Sequence, residues 1–155
     1  MSRLLVSLLF LRVTMYKLKT SADFDSAHFL SGYNGKCSNI HGHRWHVEVE
    51  IKRNKLEESG QLRGMITDFG DLKKDLKELA DYLDHALIYE KDTLRQKTVE
   101  ALNEEGFRLI ETDFRPTAEN FSKYFYDEMV KKGYNVKCAV VYETPGNCAV
   151  YCDEE

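Results

Sequence analysis

Apolar and polar residues alternate most clearly between Ile40 and Arg53. In this stretch positions 45, 47, 49 and 51 are apolar, and the even positions from 44 to 52 are polar. Neighbouring residues of a strand point to opposite faces, so this alternation predicts a strand with one buried face in an antiparallel sheet. A weaker alternation from Met15 to Phe24 predicts an earlier strand, which leads into a loop that carries His28.

Two segments have the apolar spacing of amphipathic helices. Leucines at positions 72, 76, 79 and 83 recur at helical spacing, and Asp68 is the candidate N-cap of this first helix. A second helix begins after Thr117, whose side chain is its candidate cap, and ends at Gly133. Between the two helices we expect a short helix over 93–105 and a short strand over 107–114.

The end of the chain predicts two more strands, over 135–142 and 148–152, joined by a turn at 144–147. Apart from the insertion between the helices, the order is strand, strand, helix, helix, strand, strand, which favours an α+β fold. We therefore predict an antiparallel four-stranded sheet with two helices on one face. The length of 155 residues suggests one domain, over 15–155, preceded by an N-terminal extension over 1–14.

Composition and charge narrow the classes of protein. The formal net charge is −4 and the basic residues form no stripe, which argues against a nucleic-acid partner. No apolar run approaches the roughly 20 residues of a membrane span. The apolar run at 4–11 is short and lacks a following cleavage site, so an upstream extension is favoured over a signal peptide. Four cysteines in a chain long enough to build its own core are expected to be reduced, which predicts a cytoplasmic location.

Four of the five histidines lie in one short stretch of the chain, from Phe24 to His46. His41 and His43 are two residues apart, so a strand places both imidazoles on one face, and a loop before them could supply His28 as a third ligand. Three imidazoles with an open fourth position are typical of a catalytic zinc, although nickel and iron remain alternatives. His46 has the opposite parity and is excluded from this group.

Cys37 and the pair Asp84 and His85 are candidate proton-transfer groups. Cys37 lies in a loop rich in glycine, asparagine and serine, four residues before the strand histidines. A thiol near a cation has a lowered pKa and can act as a nucleophile or base. Asp84 and His85 follow the first helix, where a histidine is favoured by the helix dipole alone. Their functional interpretation is an acid–imidazole couple, in which the carboxylate orients the ring.

Glu119 and Glu143 are candidate binding residues, and their positions in the sequence have different explanations. Glu119 falls in the first turn of the second helix, where a carboxylate is favoured by the helix dipole. Glu143 follows an apolar strand directly before a turn. A carboxylate in that position could bind a guanidine-like N–H edge through two parallel hydrogen bonds.

At these residues the chain resembles the 6-pyruvoyl-tetrahydropterin synthase and 6-carboxy-tetrahydropterin synthase family. The resemblance covers roughly 15–151, and the order and spacing of six motifs carry it. The motifs are SAHFL around His28, Cys37-x-x-x-His41-Gly42-His43, TDFGDLKK from Thr67, LDHALI around Asp84 and His85, PTAEN around Glu119, and YETP around Glu143.

The resemblance implies the tunnelling fold, in which subunits associate in threes and close their sheets into a barrel. Two such rings usually stack into a homohexamer, with active sites between subunits. It also implies that zinc binds to His28, His41 and His43.

The same resemblance implies roles for the remaining site residues. Cys37 would be the proton-abstracting base, and Asp84 with His85 would form a relay. Glu143 would anchor the aminopyrimidine edge of a pterin and assist the relay. Thr117 and Glu119 would line the pterin pocket.

The substrate implied by the resemblance is 7,8-dihydroneopterin triphosphate, and no redox cofactor is needed. One branch of the family makes 6-pyruvoyl-tetrahydropterin. The other makes 6-carboxy-5,6,7,8-tetrahydropterin with loss of acetaldehyde, for queuosine and other 7-deazaguanine nucleosides. The short Cys37-x-x-x-His41 spacing and the segments FRPTAEN and ETPGNCAVY resemble the bacterial carboxy branch. The 89–114 insertion is longer than in compact members.

Other classes of protein remain open from the sequence. A non-catalytic zinc- or pterin-binding oligomer would have little need of a reactive thiol beside the metal, so Cys37 favours an enzyme. A zinc hydrolase that uses metal-bound water would need a general base but no thiol. The 6-pyruvoyl branch also stays an alternative, because the two branches share most motifs.

Overall fold

The computed structural model describes residues 14–152. The predicted N-terminal extension therefore lies, apart from its last residue, outside the described residues. The elements in chain order are β1 (Tyr16–His28), β2 (His41–Arg53), α1 (Phe69–Leu83), β3 (Ala86–Glu90), α2 (Gln96–Glu104), β4 (Leu109–Thr112), α3 (Ala118–Lys131), β5 (Val136–Thr144) and β6 (Asn147–Cys152).

All six strands form one sheet in the order β4-β3-β1-β2-β5-β6. The four strands β1, β2, β5 and β6 are antiparallel neighbours, as predicted. The prediction of a purely antiparallel four-stranded sheet was nevertheless wrong, because β3 and β4 add two parallel strands beside the end of β1. The five-residue segment ALIYE of β3 gives no distinct local pattern, and its partners lie far away in the sequence.

Strand β1 is longer than the alternation predicted. It pairs with β2 over thirteen residues, from Tyr16 opposite Arg53 to His28 opposite His41. His28 is therefore the last residue of a strand and not part of a loop. The end of β1 also pairs with β3, so it is held on both sides, which explains why the strand continues past Phe24.

The core lies on the face of the sheet that the β2 alternation predicted. Trp45, Val47 and Val49 have no exposed surface, and the apolar residues of α1 and α3 pack against them. Both helices thus cover one face, as expected. The third helix, α2, buries none of its residues and belongs to the insertion.

The predicted helix ends are confirmed. Asp68 accepts a hydrogen bond from the Gly70 amide at 2.6 Å, at the start of α1. Thr117 accepts one from the Asn120 amide at 3.3 Å, at the start of α3. Gly133 follows α3 with a φ of 95°, a conformation that glycine adopts without strain. Within 14–152, no helix combines the length and apolar character that a membrane crossing requires.

Candidate metal centre and adjoining cavities

The pairing of β1 with β2 brings three histidine rings together at one end of the sheet. His28 and His41 are directly opposite each other in the register, and His43 lies on the same face two residues further along β2. The ring centroids are 4.4 Å apart for His28 and His41, 5.2 Å for His28 and His43, and 5.0 Å for His41 and His43. Strand parity, read from the sequence, placed the two β2 histidines correctly.

Hydrogen bonds to the backbone orient two of these rings. The Nδ1 atom of His28 lies 2.6 Å from the Pro116 carbonyl oxygen, and that of His41 lies 2.8 Å from the Asn39 carbonyl oxygen. A carbonyl oxygen only accepts, so each Nδ1 carries the proton and each Nε2 carries a lone pair. The Nε2 atoms of His28, His41 and His43 are buried and have no hydrogen-bond partner among the described residues. Buried, unpaired imidazole lone pairs that converge are the donor set a divalent metal ion needs.

Burial also keeps two of these imidazoles in the neutral form that binds a metal. Burial, together with the neighbouring His41 and His43, lowers the pKa of His28 to about 4 against the opposing effect of its Pro116 hydrogen bond. Burial lowers the pKa of His43 as well. At neutral pH both rings are therefore mainly in the neutral form, which has a nitrogen lone pair available to bind a cation.

A carboxylate completes this group of side chains. The Oε1 atom of Glu143 lies 3.6 Å from Nε2 of both His28 and His43. One ligand atom from each of His28, His41, His43 and Glu143 fits within a span of 4.8 Å. Because His28 is neutral at this pH, the short distances do not describe ion pairs. They place four potential metal ligands around one point.

The sequence analysis did not foresee Glu143 among the candidate ligands and gave it only a pterin-binding role. The residue ends an apolar strand far from the histidines in sequence, so the parity argument that linked His41 to His43 could not include it. The register of β5 against β2, with Tyr142 opposite His46, brings it to the same end of the sheet.

A cavity of about 300 Å³ adjoins the histidine group and contains most of the other predicted site residues. Cys37 is half-buried in its wall, in the short 3₁₀ turn Lys36–Ser38. The Leu30 amide donates to the Cys37 carbonyl at 2.8 Å, which fastens this turn to the chain that leaves β1. The lining residues from the predicted site are His28, Cys37, Thr117, Glu119 and Glu143.

Asp84 and His85 form the expected couple, but outside that cavity. The Nδ1–H of His85 donates to Asp84 Oδ2 at 2.6 Å, and the Asp25 amide donates to Asp84 Oδ1 at 2.7 Å. The second of these bonds, with the help of His85, holds the pKa of Asp84 below its usual range. His85 has a φ of 55°, in the left-handed region, and its amide donates to the Asp25 carbonyl at 2.6 Å. These bonds attach the Asp84 carboxylate and the His85 backbone to β1.

His85 lines a larger cavity, of about 640 Å³. Its wall includes His43, Arg44 and Arg108, but neither Cys37 nor Glu143. Within one chain, therefore, the structure separates the Asp84–His85 couple from the thiol that it was predicted to serve.

The fold and the site define the class of protein: an α+β protein with a candidate His₃–Glu metal centre at one end of its sheet, flanked by a thiol-lined cavity. The family model described as 6-pyruvoyl tetrahydropterin synthase matches residues 17–154. The chain belongs to this family, as the motifs had indicated.

Curated relatives of the chain carry the name of one branch. A 6-carboxy-5,6,7,8-tetrahydropterin synthase of Haemophilus influenzae is 32% identical over 140 residues, covering 88% of this chain and 99% of the relative. A protein of the same name from Rickettsia felis is 34% identical over 142 residues, with the same two coverages.

Solved structures share the fold. An uncharacterized protein from Wolinella succinogenes superposes with a TM-score of 0.72 at 19% identity, covering 91% of this chain and 99% of that one. The 6-pyruvoyl tetrahydropterin synthase of Caenorhabditis elegans gives a TM-score of 0.61 at 24% identity, with coverages of 92% and 99%. The match spans nearly the whole of both structures, so the six-stranded sheet and its helices form a single known architecture.

Proposed function

We propose that this protein converts 7,8-dihydroneopterin triphosphate to 6-carboxy-5,6,7,8-tetrahydropterin, releasing acetaldehyde and triphosphate, as a step in queuosine biosynthesis. The observation that carries the proposal is the convergence of three histidines and Glu143 on one point. A cavity lined by His28, Glu143 and the Cys37 thiol adjoins this point. The names of the curated relatives support the carboxy branch in particular. We take 15–155 as one catalytic domain.

We propose zinc as the metal, held by His28, His41 and His43. Three imidazoles are a donor set typical of catalytic zinc, and here each offers a ligand nitrogen within 4.8 Å of the others. When bound, the metal would supply Lewis-acid polarisation of side-chain hydroxyls or of an adjacent carbonyl of the substrate.

The protein's own residues then move the protons. Cys37, in the cavity wall beside His28, is the proposed base that removes a proton from the substrate side chain. Asp84 holds the proton of His85 on Nδ1, so Nε2 of His85 is left to accept or return a proton. The short, rigid Asp84–His85 contact is suited to a relay, because it fixes both the tautomer and the ring plane.

Binding of the pterin is assigned to three further side chains. Glu143 is proposed to accept hydrogen bonds from the aminopyrimidine N–H edge, which a carboxylate can grip in a bidentate way. Thr117 and Glu119 line the same cavity at the start of α3 and would contact the ring. Glu143 also lies close enough to the histidines to compete for a role as fourth metal ligand.

We further propose that the active site is completed by a second subunit, in a trimer or a hexamer of two trimers. Cys37 and His85 line different cavities of one chain, so a site that uses both requires a neighbouring copy. Strand β6 lies at an edge of the sheet and most of its residues are exposed. An unpaired edge can hydrogen-bond to another copy, which would close the sheets into a barrel.

The decisive experiment is incubation of the zinc-loaded protein with 7,8-dihydroneopterin triphosphate, followed by mass analysis of the products. The proposal expects a carboxypterin together with acetaldehyde. A pyruvoylpterin would assign the chain to the other branch, whose name the family model and the Caenorhabditis elegans structure carry. Binding of the substrate without turnover would indicate a pterin-binding oligomer that is not an enzyme.

A further inference from the structure

Two cysteines outside the proposed active site lie directly opposite each other. Cys138 of β5 pairs with Cys152 of β6 in an antiparallel register. Opposed residues in such a ladder have Cα atoms about 4.5–5.5 Å apart, which falls within the range that disulfides span. The two side chains are also close enough for the Cys152 thiol to contribute to the raised pKa of Cys138.

The pair lies on the face of the sheet that points away from the core. Ala139 and Val141, which alternate with Cys138 along β5, are fully buried on the other side. In the strand register Cys138 stands beside Glu50 of β2. Cys138 is half-buried and Cys152 is exposed, so a small molecule reaches Cys152 first.

Burial and the neighbouring Cys152 thiol raise the pKa of Cys138 to about 11. Cys138 is therefore almost entirely protonated at neutral pH and is a poor first nucleophile. Its fixed position against Cys152 suits it to the second, intramolecular step of a thiol–disulfide exchange.

Neither of the other two cysteines has a cysteine opposite it in the sheet register, although both line the 300 Å³ cavity. Cys148 lies opposite Tyr142 in the β5–β6 register, and Cys37 lies in the 3₁₀ turn. Cys148 and Cys152 share one strand and are four residues apart, roughly 13 Å by strand rise. That separation exceeds what a disulfide can bridge.

We propose that Cys138 and Cys152 are a redox modification site, at which a low-molecular-weight disulfide such as oxidised glutathione generates a reversible cross-strand disulfide. The Cys152 thiolate attacks one sulfur of the small disulfide, forms a mixed disulfide and expels one small thiol. The Cys138 thiolate then attacks the Cys152 sulfur and expels the second small thiol. The two protein thiols are oxidised by two electrons, and one small disulfide is reduced to two thiols.

The disulfide would join an edge strand covalently to the strand inside it. Strand β6 is hydrogen-bonded only to β5 in the sheet, and β5 carries Glu143 near its other end. Oxidation would therefore restrain the β5–β6 hairpin against opening. The inference is independent of the proposed reaction, since it needs neither a metal nor a pterin.

The test is oxidation of the folded, full-length protein with oxidised glutathione, followed by alkylation of free thiols and mass spectrometry. We expect the oxidised protein to be lighter by the mass of two hydrogens and to regain this mass after treatment with a reductant. Chymotrypsin cleaves after Tyr142 and Tyr151, so it places the cysteines at 138, 148 and 152 on separate peptides. Cleavage after Tyr134 starts the first of these peptides, so the expected link joins peptide 135–142 to peptide 152–155.

Two variants sharpen the test. Cys138→Ser should stop at a glutathione adduct on Cys152, whereas the matched variant Cys148→Ser should still lose two hydrogens. A link that includes peptide 143–151 in the wild-type protein would overturn the proposal. So would a stable glutathione adduct on Cys152 with Cys138 still open to alkylation, because it would mean that the second exchange does not occur. Both outcomes are read from the wild-type protein, whether or not the variants fold.

Discussion

His28 links the candidate metal centre to the rest of the core more tightly than either of the β2 histidines. Its side chain is only 1% exposed, and its Nδ1–H donates to the carbonyl of Pro116, immediately before the cap of α3. Its ring also meets the Trp45 ring edge-on, with centroids 5.0 Å apart. A single residue thus fixes the metal-facing nitrogen relative to Thr117 and Glu119, which line the adjoining cavity.

At this scale the clearest prediction concerns the thiol. Cys37→Ala should keep the bound metal and the assembly but lower turnover by about 10²- to 10⁴-fold, the usual effect of losing a general base. Steady-state kinetics with elemental analysis of zinc would measure both. Cys152→Ala, an exposed position on β6, is the control and should retain activity. Full activity in Cys37→Ala would remove the thiol from the mechanism.

A second residue-scale prediction separates metal ligands from substrate anchors. His41→Ala should lose most of the bound zinc, because it removes one of three buried lone pairs. Glu143→Gln should retain zinc but weaken pterin binding by about 10- to 100-fold, since charge-assisted hydrogen bonds contribute about 1.5–3 kcal/mol each. Metal content and pterin affinity are measured on both variants. Loss of zinc from Glu143→Gln would instead make this carboxylate a metal ligand.

At the scale of elements, the β1–β2 pair determines the geometry of the centre. Thirteen paired residues fix the register, and a shift by one residue would move His28 away from His41 and turn the buried residues of the shifted strand to the opposite face. Gly42, between the two β2 histidines, lies where the backbone of β1 comes close to that of β2. A Cβ at this position would lie 3.3 Å from the Ser26 carbonyl oxygen. A small residue at that position lets the strand ends pack tightly.

A polar contact joins the middle of α1 to the residues that directly follow α3. The Tyr134 hydroxyl donates to Asp75 of α1 at 2.6 Å, and Lys132 donates to Asp75 and to Glu78 at 3.0 Å. The Tyr134 hydrogen bond, with help from Lys132, holds the pKa of Asp75 below its ordinary value of 3.8. The ionised carboxylate is therefore the form that the folded protein favours.

We expect Tyr134→Phe to lower the free energy of unfolding by about 1 kcal/mol at neutral pH, the usual value for one net hydrogen bond. A carboxyl whose pKa is depressed by folding stabilises the protein above its unfolded pKa and loses that contribution as the pH falls through the folded value. The difference between variant and wild type should therefore shrink below about pH 4. Urea unfolding at several pH values measures this difference in the free energy of unfolding. The control is Tyr16→Phe, because the Tyr16 side chain is half-exposed. A constant difference across this range would contradict the assignment to Asp75.

At the scale of the whole molecule, the residues proposed for catalysis are distributed between two cavities. The smaller one contains Cys37 and Glu143, and the larger one contains His85 and Arg108. Arg108 donates to the carbonyls of Tyr82 and Asp84 and so ties the insertion to the end of α1 beside the couple. The insertion therefore contributes part of the wall of the cavity that His85 lines.

Subunit mixing tests this arrangement. Cys37→Ala and His85→Ala should each be inactive alone, but dissociation and reassembly of a mixture should restore activity. If each site takes its thiol and its imidazole from different chains, random assortment makes about a quarter of the sites intact. Light scattering would confirm that the variants assemble. Inactive mixtures of properly assembled subunits would contradict a shared site.

Local patterns in the sequence determined much of this protein. The alternation in β2 identified the buried face, the side chains of Asp68 and Thr117 marked the helix starts, and parity placed His41 and His43 together. Each of these features depends on neighbours within a few residues, where backbone geometry alone relates side chains. The order of the motifs also indicated the protein family, and the match of the family model to residues 17–154 confirms it.

The tertiary structure alone decided the features that depend on contacts between distant segments. Strand β3 is paired on both sides, with β1 and β4, and the register of β5 on β2 brings Glu143 to the histidines. The opposition of Cys138 and Cys152 and the separation of Cys37 from His85 are likewise invisible in the sequence. Periodicity fixes the face on which a side chain lies, whereas long-range pairing fixes which side chains from other strands lie beside it.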